Sequence, residues 1–223
     1  MSMSRHPQQP QAGFSLLEMS IVLAIVGLLL AGLLPTLSGQ IEQQRGNETR
    51  KQMNDIKDAL IGYAIVNGRL PYPASASAVT GTASAGVSDS TLTTTGVIPW
   101  VTLGTSETDA WGRRFTYSAT NSFIASNFAL TSTGSLAIKI TTTGTNVATG
   151  IPAVLVSHGA NGYGAYTPQG TQIVASSDSD EADNSNANNN FVSHDPTPAF
   201  DDLVVWISPN ILFNRMVAAG KLP

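Results

Sequence analysis

The sequence predicts an α+β protein: a long N-terminal helix packed on a small antiparallel β-sheet, with a short C-terminal helix. Three observations predict it. An apolar run from Phe14 to Leu34 leads into a segment of helical periodicity that reaches Asn67. Short β-like runs, parted by Gly and Asn, follow it. Near the end, Ser208 and Pro209 suit the cap and first position of a helix that Gly220 can stop.

Residues 1–13 are polar and carry Arg5 and His6. From Phe14 to Leu34 only Glu18 and small polar serines interrupt the apolar character. A run of about 20 apolar residues is long enough to cross a bilayer as a helix. An ordinary signal peptide has a shorter apolar core with a small-residue cleavage site after it; here the small residue, Gly13, comes before. A plain membrane anchor explains the length but not Glu18. An acid inside a span costs roughly 2.5–3.5 kcal/mol near its centre and less near an end, so Glu18 asks for a partner.

The helix is expected to continue past the apolar run. Met53, Ile56, Leu60 and Tyr63 recur at three- and four-residue spacing, with Lys51, Asn54, Lys57 and Asp58 on other faces. Asn67-Gly68 is a C-terminal signal and Pro71 lies just beyond. Unbroken from Phe14, this helix is ~80 Å long, with Pro35 and Gly39 expected to loosen or bend it. Residues 74–96, rich in Ser, Thr, Ala and Gly, read as a long surface loop. Strands are expected at 113–118, 122–130, 135–142, 152–157 and 203–207. Residues 176–190 form an Asp/Asn/Ser loop, and Ile211, Leu212, Phe213, Met216 and Val217 give the last helix an apolar side.

Composition narrows the chemistry. Of 223 residues only 12% are charged, and the formal net charge is -4. Such a chain suits an exported, β-rich surface domain and gives no reason to expect nucleic acid as partner. There is no cysteine, which excludes thiolate metal sites and cysteine nucleophiles. Ser157, His158, His194, Asp195, Asp201 and Asp202 supply the types for a Ser-His-Asp site, but neighbouring Ser157 and His158 on a strand point to opposite faces. No Gly-x-Ser-x-Gly elbow is present, so the reading is not an enzyme. The glycines of 159–164 read as turns, and Trp100, Trp111 and Trp206 as core or strand anchors. One ligand is expected as an alternative to a plain solvated loop. Asp178, Asp180, Glu181 and Asp183, with Asn184 and Asn186 near, crowd hard oxygen donors suited to Ca²⁺, at spacings that are not those of an EF-hand.

Gly13-Phe14-Ser15-Leu16-Leu17-Glu18-Met19 resembles the class III signal of type IV prepilins and type II secretion pseudopilins. Gly27 and Pro35 also stand where that family tends to have a glycine and a helix-loosening proline. The resemblance implies a pilin-like fold divided into a leader (1–13), a transmembrane and fibre-core helix (14–37), an amphipathic helix (38–68) and a β-rich head (69–223). It implies that prepilin peptidase cuts after Gly13 and N-methylates Phe14, and that Glu18 serves assembly. The implied partners are other pilins or pseudopilins, met through the N-terminal helix, the peptidase and an inner-membrane assembly platform. The implied place is the bacterial inner membrane, then a periplasmic pseudopilus or a surface pilus. An adhesin or ligand-binding module displayed on a fibre is the alternative.

Three further stretches are similar to the heads of such proteins. Thr108-Asp109-Ala110-Trp111-Gly112 resembles the Asp-Pro-Trp-Gly segment of major pseudopilins, with Ala110 for the proline. Ser157-His158-Gly159-Ala160-Asn161-Gly162 resembles their Ser-x-Gly-Ala-Asp-Gly turn, with Asn161 for the aspartate. The tail from Phe200 to Ser208 resembles a broader set of prepilin-like proteins. Major pseudopilins hold calcium in a comparable loop, and the resemblance carries that expectation to residues 178–183.

Overall fold

A computed structural model describes residues 13–223, apart from the side chains of 30–37. The chain falls into two units that part after Gln43. Helix α1 (Leu16–Asn67) begins in the first and ends in the second. It starts where Ser15-Leu16-Leu17-Glu18 spells a capping box. The Glu18 backbone N–H donates to Ser15 Oγ at 3.1 Å, and the Ser15 N–H donates back to Glu18 Oε2 at 3.4 Å. The described apolar side chains from Phe14 to Leu29 are exposed. Among the described residues, no helix is long and apolar enough to cross a membrane. The expected span, 14–37, includes side chains outside the described ones, as does the bend expected at Pro35, and leader residues 1–12 lie outside altogether.

In the second unit α1 buries Met53, Ile56, Leu60, Ile61 and Ala64, while Tyr63 is half-buried. The helix ends as expected. Gly68 takes φ 72°, and its N–H closes on the Ala64 carbonyl at 2.8 Å. Glycine is required there twice over, because an added Cβ would meet Asn127 Oδ1 at 2.7 Å.

The remaining elements follow in chain order. They are β1 (Thr95–Val97), α2 (Trp100–Leu103), β2 (Thr116–Ala119), α3 (Asn121–Ile124), β3 (Leu136–Lys139), β4 (Asn146–Ile151), β5 (Ala153–Ser157), α4 (Ser179–Asp183), β6 (Asn190–Val192), β7 (Leu203–Ile207) and α5 (Pro209–Ala218). β1, β2, β5 and β7 form an antiparallel sheet in that spatial order, with Tyr117, Leu155 and Val205 in one row across it. A second sheet runs β4-β3-β6, and its β3–β6 pair is parallel.

β5 is buried along its whole length because it faces a core on each side. Ala153 and Leu155 belong to the larger core with Met53, Ile56, Leu60, Phe115 and Tyr117. Val154 and Val156 point the other way, onto Leu136, Ile138, Ile151 and Phe191.

Three expectations need correction. The strand expected at 122–130 is helix α3 and a loop. Phe123, Ile124 and Phe128 all enter one core, and Phe123 and Phe128 meet Phe213 at 6.0 and 6.1 Å between ring centroids. Alternation along a strand would have sent Ile124 to the opposite face from Phe123. The four-stranded sheet is antiparallel as expected, and residues 140–189 give the chain room to return and pair β6 parallel to β3 in the second sheet. Ser208 occupies the cap position of α5, yet its side chain makes no capping bond. The acidic segment is not a plain solvated loop: it contains α4 and buries Glu181, Asp183 and Asn184.

Residues 74–94 do run as an irregular loop, while 95 and 96 of the expected loop enter β1, and a buried guanidinium ties the loop down. Arg114 is fully buried, and each of its N–H groups is used. It donates to the carbonyls of Ala76 (3.0 Å), Ala78 (2.7 Å) and Pro168 (3.0 Å), to Thr80 Oγ1 (3.0 Å) and to Glu107 Oε1 (3.0 Å). Its charged face lies 4.8 Å over the Trp100 ring. A second polar knot sits at buried Asp109, which accepts from the backbone N–H groups of Trp111 and Arg113 and from Ser157 Oγ. These knots restrain loops in a chain that has no disulfides.

Candidate functional site

Two places hold the residues singled out by the sequence. The first is the start of α1. Gly13 precedes the helix with open space around it, Phe14 is 82% exposed, and Glu18 lies in the first turn. A peptide bond at Gly13–Phe14 is therefore accessible, just outside regular structure. Among the described residues the Glu18 carboxylate accepts only the long contact from the Ser15 N–H, and it is exposed, so it can take a second partner. The reciprocal Ser15–Glu18 cap was legible as S-x-x-E and was not anticipated.

The second place lies where α4, the 158–162 turn and the start of β7 meet. The four acids expected to form a ligand set do not share one role. Asp178 caps α4, accepting from the N–H groups of Asp180 (3.0 Å) and Glu181 (3.2 Å). Asp180 accepts the Thr142 N–H at 2.7 Å and faces His194 Nε2 at 3.5 Å. Asp183 accepts from the side-chain amides of Asn186 (2.8 Å) and Asn188 (3.0 Å). Of the four, Glu181 alone joins two further acids, Asp201 and Asp202, which immediately precede β7. One carboxylate oxygen each from Glu181, Asp201 and Asp202 lies within 4.8 Å of the other two.

Each carboxylate in this cluster has one oxygen held and one without a partner. Glu181 Oε1 accepts from Asn161 Nδ2, Asp201 Oδ2 from the Asn161 N–H at 2.9 Å, and Asp202 Oδ2 from Asn184 Nδ2 at 2.9 Å. Glu181 Oε2, Asp201 Oδ1 and Asp202 Oδ1 are buried and make no hydrogen bond. Glu181 is 1% exposed and Asp202 3%. Burial pushes the Asp201 carboxyl up to about 6, helped by the Glu181 and Asp202 carboxylates and opposed by the Asn161 N–H. Burial also raises Asp202, against the lowering effect of His158 and Asn184. The turn approaches closely here: Gly159 has φ 56°, and a Cβ on it would meet Asp201 Oδ1 at 2.4 Å.

His158 is fully buried. Its Nε2 bonds Thr116 Oγ1 at 2.8 Å and its Nδ1 lies 3.7 Å from Asp202 Oδ1. Ser157 Oγ donates instead to Asp109 Oδ2 at 2.7 Å, so Ser157 and His158 form no nucleophile–base pair. His194 stacks on Phe200 at 3.9 Å between ring centroids. Hard oxygen donors converging with unpartnered atoms fit an ion such as calcium.

Residues 9–34 match the family described as the prokaryotic N-terminal methylation motif. This match supports a class III signal of the type IV prepilin and pseudopilin kind. No curated protein and no solved structure matches the chain.

Proposed function

We propose that the chain is a structural subunit of a type IV pilus or type II secretion pseudopilus, a minor pilin or pseudopilin. The observation that carries this reading is the N-terminal methylation motif at 9–34, with Gly13, Phe14 and Glu18 in the signal's places. The precursor is held in the inner membrane by the apolar helix, with the leader's Arg5 on the cytoplasmic side. Prepilin peptidase cuts after Gly13 and N-methylates Phe14. The subunit then leaves the membrane for a fibre in which the apolar helices pack on those of other subunits. The described apolar side chains that are exposed in the isolated chain support such packing.

Processing tests this reading. Mass spectrometry of the mature N-terminus is expected to find N-methyl-Phe14. Gly13→Val is expected to leave the precursor uncut, because a peptidase site built for a residue without a side chain rejects a branched one. A mature start after Ala31 or Gly39 would make the segment an ordinary signal peptide and remove the reading.

A further inference from the structure

We infer that a neutral saccharide ring binds in the cleft enclosed by residues 75–77, β1, the 164–172 segment and residues 185–187. The inference is independent of the fibre reading.

The cleft holds about 290 Å³, close to the lower end of small-molecule sites at about 300 Å³. It is polar without being charged. Ser75, Ser77, Thr95, Thr116 and Tyr166 bring hydroxyls to it and Gln172 an amide, while its described lining contains no Asp, Glu, Lys, Arg or His. A phosphate or carboxylate would find no cation there, and an amine no carboxylate, so either ion would be desolvated without a partner. A wholly apolar ligand would leave the hydroxyls facing it unpaired. The matching chemistry is a neutral ligand with many hydroxyls and one apolar face. A sugar ring is such a ligand, since its rim donates and accepts while its C–H face packs on an aromatic ring. Tyr166 supplies that ring, and Leu92 adds aliphatic surface.

The polar groups are oriented but not saturated. Thr95 Oγ1 meets Ser118 Oγ at 2.8 Å, Thr116 Oγ1 meets His158 Nε2 at 2.8 Å, and Tyr166 Oη donates to Gln172 Oε1 at 3.2 Å. A hydroxyl has one donor and two acceptor sites, so each keeps capacity for a ligand. Gln172 Nε2 gives one N–H to the Gly164 carbonyl at 3.1 Å and has a second. The walls are fixed from outside the cleft. Arg114 holds the Ala76 carbonyl at 3.0 Å, and Ala74 and Val97 exchange backbone bonds of 2.9 and 3.0 Å. Ser185 Oγ donates to the Ala182 carbonyl at 3.1 Å. Ala187 sits at φ 59°, the only residue other than glycine in the left-handed region among the described ones. Such strain persists where the surroundings over-determine it, and it clusters at ligand sites. Walls set before the ligand arrives lose little freedom on binding.

The test uses the full-length chain in micelles of an amine-oxide detergent, because glycoside detergents would compete. Saturation-transfer NMR titrations read the binding of D-glucose, D-galactose, D-mannose and N-acetyl-D-glucosamine. At least one is expected to bind, weakly, as a single small ring does. Its affinity is expected to fall about three- to tenfold in Gln172→Ala, at an exposed position, and in Tyr166→Phe, which keeps the ring. Gln52→Ala, in a separate cleft beside α1, is expected to leave binding unchanged. Binding of none of the four sugars, or binding that neither cleft variant weakens, would overturn the site. Tighter binding of N-acetylneuraminate, a charged sugar, would overturn the neutral class. Methyl glycosides separate the sources: equal binding assigns the site to the terminal ring of a glycan, and loss of binding assigns it to a free sugar.

Discussion

Arg114→Met is expected to lower the melting temperature of the head by about 10 °C. The side chain is wholly buried, and its guanidinium supplies hydrogen bonds to three backbone carbonyls, to Thr80 and to Glu107. Methionine fills much of the volume but donates nothing. The carbonyls of Ala76, Ala78 and Pro168 would then lose their donor, and Glu107 would keep a charge with its counter-ion gone. Breaking a buried pair from one side costs roughly 3–5 kcal/mol, and a domain of this size loses roughly 2–4 °C per kcal/mol. Glu107→Gln in the Arg114→Met background is expected to recover part of the loss, because it removes the stranded charge. Residues 74–96 should become the first site of proteolysis. Thermal melts and cleavage mapping check both halves, and a shift under 2 °C would mean that the loop holds itself.

Arg114 also shows what the sequence could and could not disclose. The face of α1 was legible because Met53, Ile56 and Leu60 repeat at helical spacing, and burial followed it. The end of that helix was legible because Gly68 needs a positive φ that few other residues tolerate. β5 and β7 were legible as continuous apolar runs. β1, β4 and β6 were not, because they are short or polar and gain their place from partners far along the chain. Arg114 lay unmarked because its carbonyl partners carry no side-chain signature, and a backbone oxygen is the same in every residue.

The acidic cluster follows the same rule. Composition drew the eye to Asp178, Asp180, Glu181 and Asp183, which are close in sequence. Convergence instead joins Glu181 to Asp201 and Asp202 across a gap of some twenty residues. A helix of five residues decides it, since α4 turns Glu181 inward and spends Asp178 on its own cap. Sequence density identifies which elements a site can contain; only the fold says which of them meet.

Glu18 carries the other large effect, and here two physical roles must be separated. The carboxylate closes the capping box with Ser15 at the start of α1. Under the proposed function it also faces the Phe14 amine of a neighbouring subunit, neutralising two charges that are each costly in an apolar fibre core. Glu18→Ala removes both roles. Losing a cap costs roughly 0.5–2 kcal/mol, whereas leaving a buried amine without its counter-charge costs roughly 3–5 kcal/mol. At about 1.4 kcal/mol per tenfold, the second loss alone lowers incorporation into the fibre by roughly two orders of magnitude or more. Glu18→Gln separates the roles, since glutamine serves at the third helical position of a capping box but carries no charge. Both variants are expected to insert in the membrane at least as well as wild type, because an acid has been removed from an apolar segment. Both are expected to be missing from sheared fibres. Membrane fractionation and immunoblots of sheared fibres read the two halves separately. Should the glutamine variant assemble at wild-type levels while the alanine variant does not, the capping box would be the whole role of Glu18, and the charge pair would be removed from the mechanism.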